Sequence, residues 1–129
     1  MLQDPLNDAM ATIRNAEAVG KGECLIRPAS KLIGRVLDVM KEADYISAYE
    51  RVEDGRGGVY RIVLKGNIND CGVIKPRFAV RRIDLEKWEA RFLPAQEFGL
   101  LILTTTEGVM SNARAKQAGV GGKLLAYVY

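Results

Sequence analysis

Apolar positions along this chain repeat first with a helical period and then with a strand period, and the switches between them mark its elements. Asp4-Pro5 reads as an N-cap followed by proline at the first helical position. Leu6, Ala9, Met10, Ile13 and Ala16 then recur at helical spacing, and Gly20 stands where a stop belongs. Residues 23–27 form a short strand candidate that Pro28 breaks. Ser30 is placed to cap a second helix, with Leu32, Ile33, Val36, Leu37 and Met40 as its apolar face. Each helix is too short to persist alone in water, so both stripes need a sheet to cover. Two β-rich runs, 45–53 and 59–65, supply it, joined by the hairpin signal Asp54-Gly55-Arg56-Gly57-Gly58. Tyr60, Ile62 and Leu64 alternate with Arg61, Val63 and Lys65, so one face packs and the other is partly wet. Residues 1–66 thus read as an α-β-α-β-β domain. Its strands 23–27 and 45–53 would form a crossover unit if they are adjacent and parallel.

Residues 66–72, Gly-Asn-Ile-Asn-Asp-Cys-Gly, are the most linker-like stretch, and a domain boundary is placed there. Residues 67–129 read as a second, mainly-β domain, so the fold class is α+β with two small domains. A strand is expected at 77–83. Asp84 is placed to cap a short helical turn carrying Leu85, Trp88 and Phe92, ended by Pro94. Runs 100–103 and 124–129 are apolar on both faces, as buried central strands are.

Composition narrows the function classes. No apolar run reaches the ~18–20 residues that span a bilayer. The first ten residues lack the basic flank and apolar core of a secretory signal, so no membrane association is expected and the expected location is the cytoplasm. Two cysteines, Cys24 and Cys71, stand far apart and histidine is absent. That pattern argues against a Cys/His metal site, and no metal or cofactor is expected. The missing histidine also removes the commonest general base at neutral pH, which argues against an enzyme. Net charge is +3, unevenly placed. From Lys75 onward nine basic residues stand against five acidic ones, a balance of +4; the residues before it carry ten basic and eleven acidic groups, a balance of −1. Such a bias suits contact with a few phosphates at a defined site.

The segment Thr104-Thr105-Thr106-Glu107-Gly108-Val109-Met110-Ser111 carries the most chemistry. Each threonine offers a donor and an acceptor. At a strand end, consecutive hydroxyls can splay toward one ligand, and Gly108 lets backbone N–H groups approach closely. Ser111 is placed to cap a helix running to about Ala118, with Gly119 as its stop. Its start would present unpaired N–H groups and partial positive charge to an anion. Val109 and Met110 offer apolar area to a base. An unstacked RNA base, with its edges, flat face and 2′-OH, fits that set. The residues alone equally admit a plain reading, in which the threonines end a strand and Val109 and Met110 are core.

Further candidates are weaker. Ser30-Lys31 puts a hydroxyl and a cation at the second helix start. Lys75 and Arg77 flank Pro76 beside Phe78, a set that would suit stacking on bases, although a plain basic strand reads as well. Gly57-Gly58 and Gly121-Gly122 read as close-approach turns outside any G-x-G-x-x-G or P-loop context, so no nucleotide site is assigned.

Thr104 to Met110, followed by Gly121-Gly122-Lys123, resembles the C-terminal signature of the ribosomal small-subunit protein eight family. Pro28-Ala29-Ser30-Lys31-Leu32, the 54–58 hairpin and Ile74-Lys75-Pro76-Arg77-Phe78 fall where that family has matching segments. The form of the last segment, with Leu85-Glu86-Lys87-Trp88 and Leu93-Pro94, is similar to the archaeal and eukaryotic branch. The resemblance implies a two-domain protein that binds the central domain of small-subunit rRNA, helps its assembly and meets neighbouring ribosomal proteins. It implies RNA contacts at Thr104, Thr105, Thr106, Gly108, Val109 and Met110, with Ser30 and Lys31 on the RNA backbone. Lys75, Arg77, Ser111, Gly121 and Gly122 complete the candidate set. Two departures stand out: Glu107 replaces the basic or neutral residue usual there, and the helix Asn112-Ala113-Arg114-Ala115-Lys116 lacks the acidic residues of many relatives. Two other readings use the same surface: a regulator that binds its own messenger RNA, and a small enzyme acting on a phosphorylated metabolite with Glu107 as base. The free chain is expected to be a monomer.

Overall fold

The first helix forms where its cap places it. In the computed structural model, which describes residues 4–95 and 98–129, the Asp4 carboxylate accepts a hydrogen bond from the Asn7 N–H at 3.2 Å, and α1 runs Pro5–Ala18. Leu6, Ala9, Met10, Ile13 and Ala16 are its buried stripe, and Gly20 takes a positive φ of 76° just past its end. Ser30 caps α2 (Lys31–Glu42) in the same way, its Oγ accepting from the Ile33 N–H at 3.2 Å. The Tyr60 hydroxyl donates to the Ser30 carbonyl at 2.9 Å and ties that helix start to the sheet.

Three strands complete this unit: β1 (Glu23–Ile26), β2 (Ile46–Val52) and β3 (Val59–Leu64). The spatial order is β1-β3-β2, with both pairings antiparallel. The crossover expected from adjacent first and second strands does not form. The hairpin returns β3 alongside β2, and β1 takes the other edge of β3. Asp54 organises the hairpin: its Oδ1 accepts from the N–H groups of Arg56 (2.8 Å) and Gly58 (3.0 Å). The bond from Arg56, with help from that of Gly58, holds the Asp54 carboxyl below its ordinary pKa.

The 66–72 stretch is less of a linker than its polar composition suggested. Ile68 is buried and its N–H donates to Glu17 Oε2 at 3.1 Å, while the Asn67 amide donates to the Asp44 carbonyl at 2.9 Å. The chain divides into two compact units between Cys71 and Gly72. Cys24 and Cys71 are buried free thiols, and burial pushes them up to about 11 and about 12 respectively.

β4 (Cys71–Val73) starts at that boundary, and the second unit goes on with β5 (Ala79–Val80), α3 (Leu85–Phe92), β6 (Leu100–Thr105), β7 (Gly108–Ser111), α4 (Asn112–Ala118) and β8 (Gly122–Val128). The strand expected at 77–83 shrinks to two residues, because a 3₁₀ turn begins at Arg82. Asp84 does not cap α3; its carboxylate accepts instead from Arg81 Nε at 3.0 Å. The sheet runs β4-β8-β6-β7, with β5 antiparallel to the first residues of β8. Leu101, Leu103, Met110 and Leu124 pack with Ile74, Val80, Leu85, Leu93 and Ala115. Trp88 is half-buried against this core, tilted on Phe78 at 4.6 Å and stacked on Phe92 at 6.2 Å, with the Arg91 guanidinium 5.1 Å from its ring centre. None of the described helices is long and apolar enough to cross a membrane.

One buried polar side chain fixes α4. Asn112 Oδ1 accepts from the Leu101 N–H at 3.1 Å, and its amide donates to Glu89 at 2.7 Å. Lys116, one turn later, also donates to Glu89, at 2.6 Å. Asn112→Ala is therefore expected to cost about 2–3 kcal/mol, since it strands a buried N–H and breaks a charge-assisted bond. Urea unfolding measures it; an unchanged midpoint would show that the Asn112 node does not hold the helix.

Candidate nucleic-acid interface

Strand geometry decides what the three threonines can do. β6 extends through Thr105, and β6 and β7 are joined by a two-residue turn at Thr106-Glu107, with Thr105 paired to Gly108 and Thr104 to Val109. The expected hydroxyl loop is thus a β-hairpin. Consecutive strand residues point to opposite faces, so Thr104 and Thr105 cannot grip one ligand together. The overlooked signal was the short alternation from Gly108 to Ser111, read as a glycine turn when it is a strand.

The hydroxyls have different tasks. Thr105 Oγ1 donates to the Gly108 carbonyl at 2.8 Å and accepts from the Glu107 N–H at 3.0 Å, so it builds the turn. It lies on the packed face, 3.9 Å from the Met110 sulfur. Thr104 is half-buried and Thr106 exposed, and neither hydroxyl has a hydrogen-bond partner among the described residues. Met110 is a core residue, 8% exposed, whereas Val109 is half-buried on the opposite face. Ser111 Oγ accepts from the Arg114 N–H at 3.3 Å and caps α4, which ends at Gly119 with φ of 71°.

The register assembles a row that the sequence did not reveal. Thr104 pairs with Val109 on one side and with Lys123 on the other, and Lys123 pairs with Ala79. Val109, Thr104, Lys123 and Ala79 therefore stand side by side across four strands on one face. Lys123 is exposed and makes no ion pair among the described residues. Arg77, exposed and also without an ion pair among them, lies two residues before Ala79, and Lys75 is exposed just upstream. Phe78 is not open for stacking, because it packs on Trp88. In the first unit, Ser30 is committed to its cap and Lys31 is exposed at the start of α2.

Gly121 and Gly122 serve the protein's own backbone. A Cβ at Gly122 would collide with the Thr104 carbonyl oxygen and lie 3.0 Å from Thr105 Cγ2; one at Gly121 would collide with the Val80 carbonyl. Gly108 differs: its φ is 110°, yet open space surrounds it.

A depression of about 360 Å³ near α3 is lined by Glu86, Glu89, Ala90, Leu93, Pro94 and Ala95. Its carboxylates have the wrong sign for a phosphorylated metabolite, and neither Glu107 nor any threonine lines it.

Comparison with known proteins is consistent along the whole chain. Residues 4–129 match the family model described as ribosomal protein S8. The protein named small ribosomal subunit protein uS8 in Thermoplasma acidophilum is 57% identical over 129 residues, covering all of both chains. The protein of the same name in Picrophilus torridus is 54% identical, again over all of both chains. That of Methanococcoides burtonii is 57% identical across all of this chain and 99% of its own.

The two kinds of glycine separate experimentally. Gly122→Ala is expected to cost about 2–3 kcal/mol, as an added carbon in a filled site does. Gly108→Ala, with strain but no collision, should cost about 1 kcal/mol. Denaturant unfolding of both variants gives the order; equal midpoints would contradict the close backbone approach.

Proposed function

The chain belongs to the ribosomal protein S8 family, and from that premise we propose that it binds the central domain of small-subunit rRNA directly and helps that RNA fold and assemble. It is a ribosomal protein of the archaeal type, a component of the cytoplasmic ribosome at work in translation, and not an enzyme.

The single observation that carries the RNA reading is the row beside the hairpin. Among the described residues the Thr104 and Thr106 hydroxyls have no partner and Lys123, next to Thr104, has no ion pair, while Val109 offers apolar area on the other side. Hydroxyls read ribose and base edges, an apolar side chain covers a base face, and a lysine neutralises a phosphate. Thr105 and Met110 support that surface from beneath, and Gly121 and Gly122 let its strands close. Lys31, Lys75 and Arg77 act on phosphates. Ser111 holds α4 in place, and Gly108 shapes the turn that carries Thr106.

Thr106→Ala is expected to weaken binding to protein-free small-subunit rRNA by about 1–3 kcal/mol, because an RNA group loses its partner. That is roughly a five- to hundred-fold change in Kd. Filter binding with the folded variant tests it, and unchanged affinity would refute it. Lys123→Ala and Lys31→Ala should each flatten the dependence of log K on log salt by about one unit per lost phosphate contact. A slope that does not move would remove that lysine from the interface.

A further inference from the structure

Helix α3 has two unlike flanks. Glu86, Glu89, Ala90 and Leu93 line the depression beside it, where Glu89 is met by Asn112 and Lys116. The other flank carries Lys87, Trp88 and Arg91, since residues three and four apart share one side of a helix. Lys87 and Arg91 are exposed, and neither has an ion pair among the described residues.

Arg91 is held where it stands. Its guanidinium carbon lies 5.1 Å from the Trp88 ring centre, 5.6 Å from that of Phe78 and 5.8 Å from that of Phe92. A flat, weakly hydrated guanidinium is stabilised over ring faces, and a side chain so fixed loses little further freedom when a ligand binds. Its N–H groups make no hydrogen bond to the described residues. A planar fork of free donors matches the oxygens of an anion.

The surrounding charge and the course of the surface say which anion. Residues 77–95 hold five basic and three acidic groups, a balance of +2. Asp84 is paired with Arg81 and Glu89 with Lys116, so Arg77, Arg82, Lys87 and Arg91 stand against Glu86, which lies on the acidic flank. Phe78, beneath Arg91, immediately precedes Ala79, where the hairpin row ends, and its carbonyl accepts from the Leu124 N–H at 3.0 Å, next to Lys123. β5 pairs only with β8 among the described strands, so it is an edge. Phe78 packs on the core side of that edge, and the row lies on the other side. A polyanion that follows the row past Lys123 and around β5 meets this flank next.

We propose that the Lys87–Arg91 flank of α3 is a second phosphate site, which takes the sugar-phosphate backbone of the RNA segment continuing from the hairpin row around the β5 edge. Arg91 clasps one phosphate with its fork, and Lys87 neutralises another. Phe78, Trp88 and Phe92 position Arg91 and do not themselves touch the RNA. The inference rests on the chain binding RNA at the hairpin row.

Trp88 is the chain's one tryptophan, so its emission reports from the site itself. Acrylamide quenching of that emission should fall when protein-free small-subunit rRNA is added to the full chain. In filter binding, Arg91→Gln and Lys87→Gln should each flatten the dependence of log K on log salt by about one unit. Arg91→Lys keeps the charge and should keep the slope. Three results would each overturn the proposal: bound RNA that leaves Trp88 quenching unchanged, slopes unmoved in both glutamine variants, or a slope lost equally in Arg91→Lys, which marks disturbed packing. Thr106→Ala in the same assay reads the hairpin. If it weakens binding while the α3 variants and Trp88 stay silent, this inference alone fails; if no RNA binds the unaltered chain, both readings fail.

Discussion

β8 can lie against β6 at its first residue only because position 122 has no side chain. The Thr104 carbonyl occupies the space a Cβ would need, and the Val80 carbonyl does the same at position 121. That approach sets the register in which Lys123 faces Thr104 and Ala79 faces Lys123. The candidate RNA surface is the consequence: four strands contribute one side chain each to a single row. A side chain at either glycine would move the strands apart and scatter that row before any RNA arrived.

The alternation of a strand then divides the work among adjacent threonines. Thr105 faces the packed side and spends its hydroxyl on the turn, while Thr104 faces the other side and keeps its own. Thr106, in the turn, is exposed. A protein that must present rigid hydroxyls gains from having one of them anchor the others, because a group held in place loses less freedom on binding. The anchoring continues into α4, where Asn112 and Lys116 converge on Glu89 and hold the helix that follows the hairpin.

Much of this was legible in the sequence, and the reasons differ by element. Asp4-Pro5, Ser30 and Ser111 announced helix starts because a side-chain oxygen before an apolar stripe has one favourable use, and all three caps form. The 54–58 hairpin and the short helix carrying Leu85, Trp88 and Phe92 were legible for similar local reasons. What escaped was set by distant partners. β4 is three residues long, too short to show a period, and exists because β8 offers an edge. The order β1-β3-β2 depends on which edge a strand chooses, which no local pattern records. Asn112 looked like an ordinary helix residue, and only the fold brings Leu101 and Glu89 to it. Of the candidate site, the sequence singled out residues 104–111 but not the facing of their hydroxyls, because a strand was read as a loop.

Charge compensation distinguishes the hairpin row from the first unit's sheet. Lys123 has no ion pair among the described residues and stands beside hydroxyls, while Arg61 is enclosed by carboxylates. The central claim is that the hairpin row recognises a folded RNA at a defined place. Hydroxyl-radical footprinting of the purified chain on protein-free small-subunit rRNA tests it most directly. The account predicts protection confined to one irregular helix of the central domain. Protection spread across the RNA, or none at concentrations that saturate the chain, would contradict it.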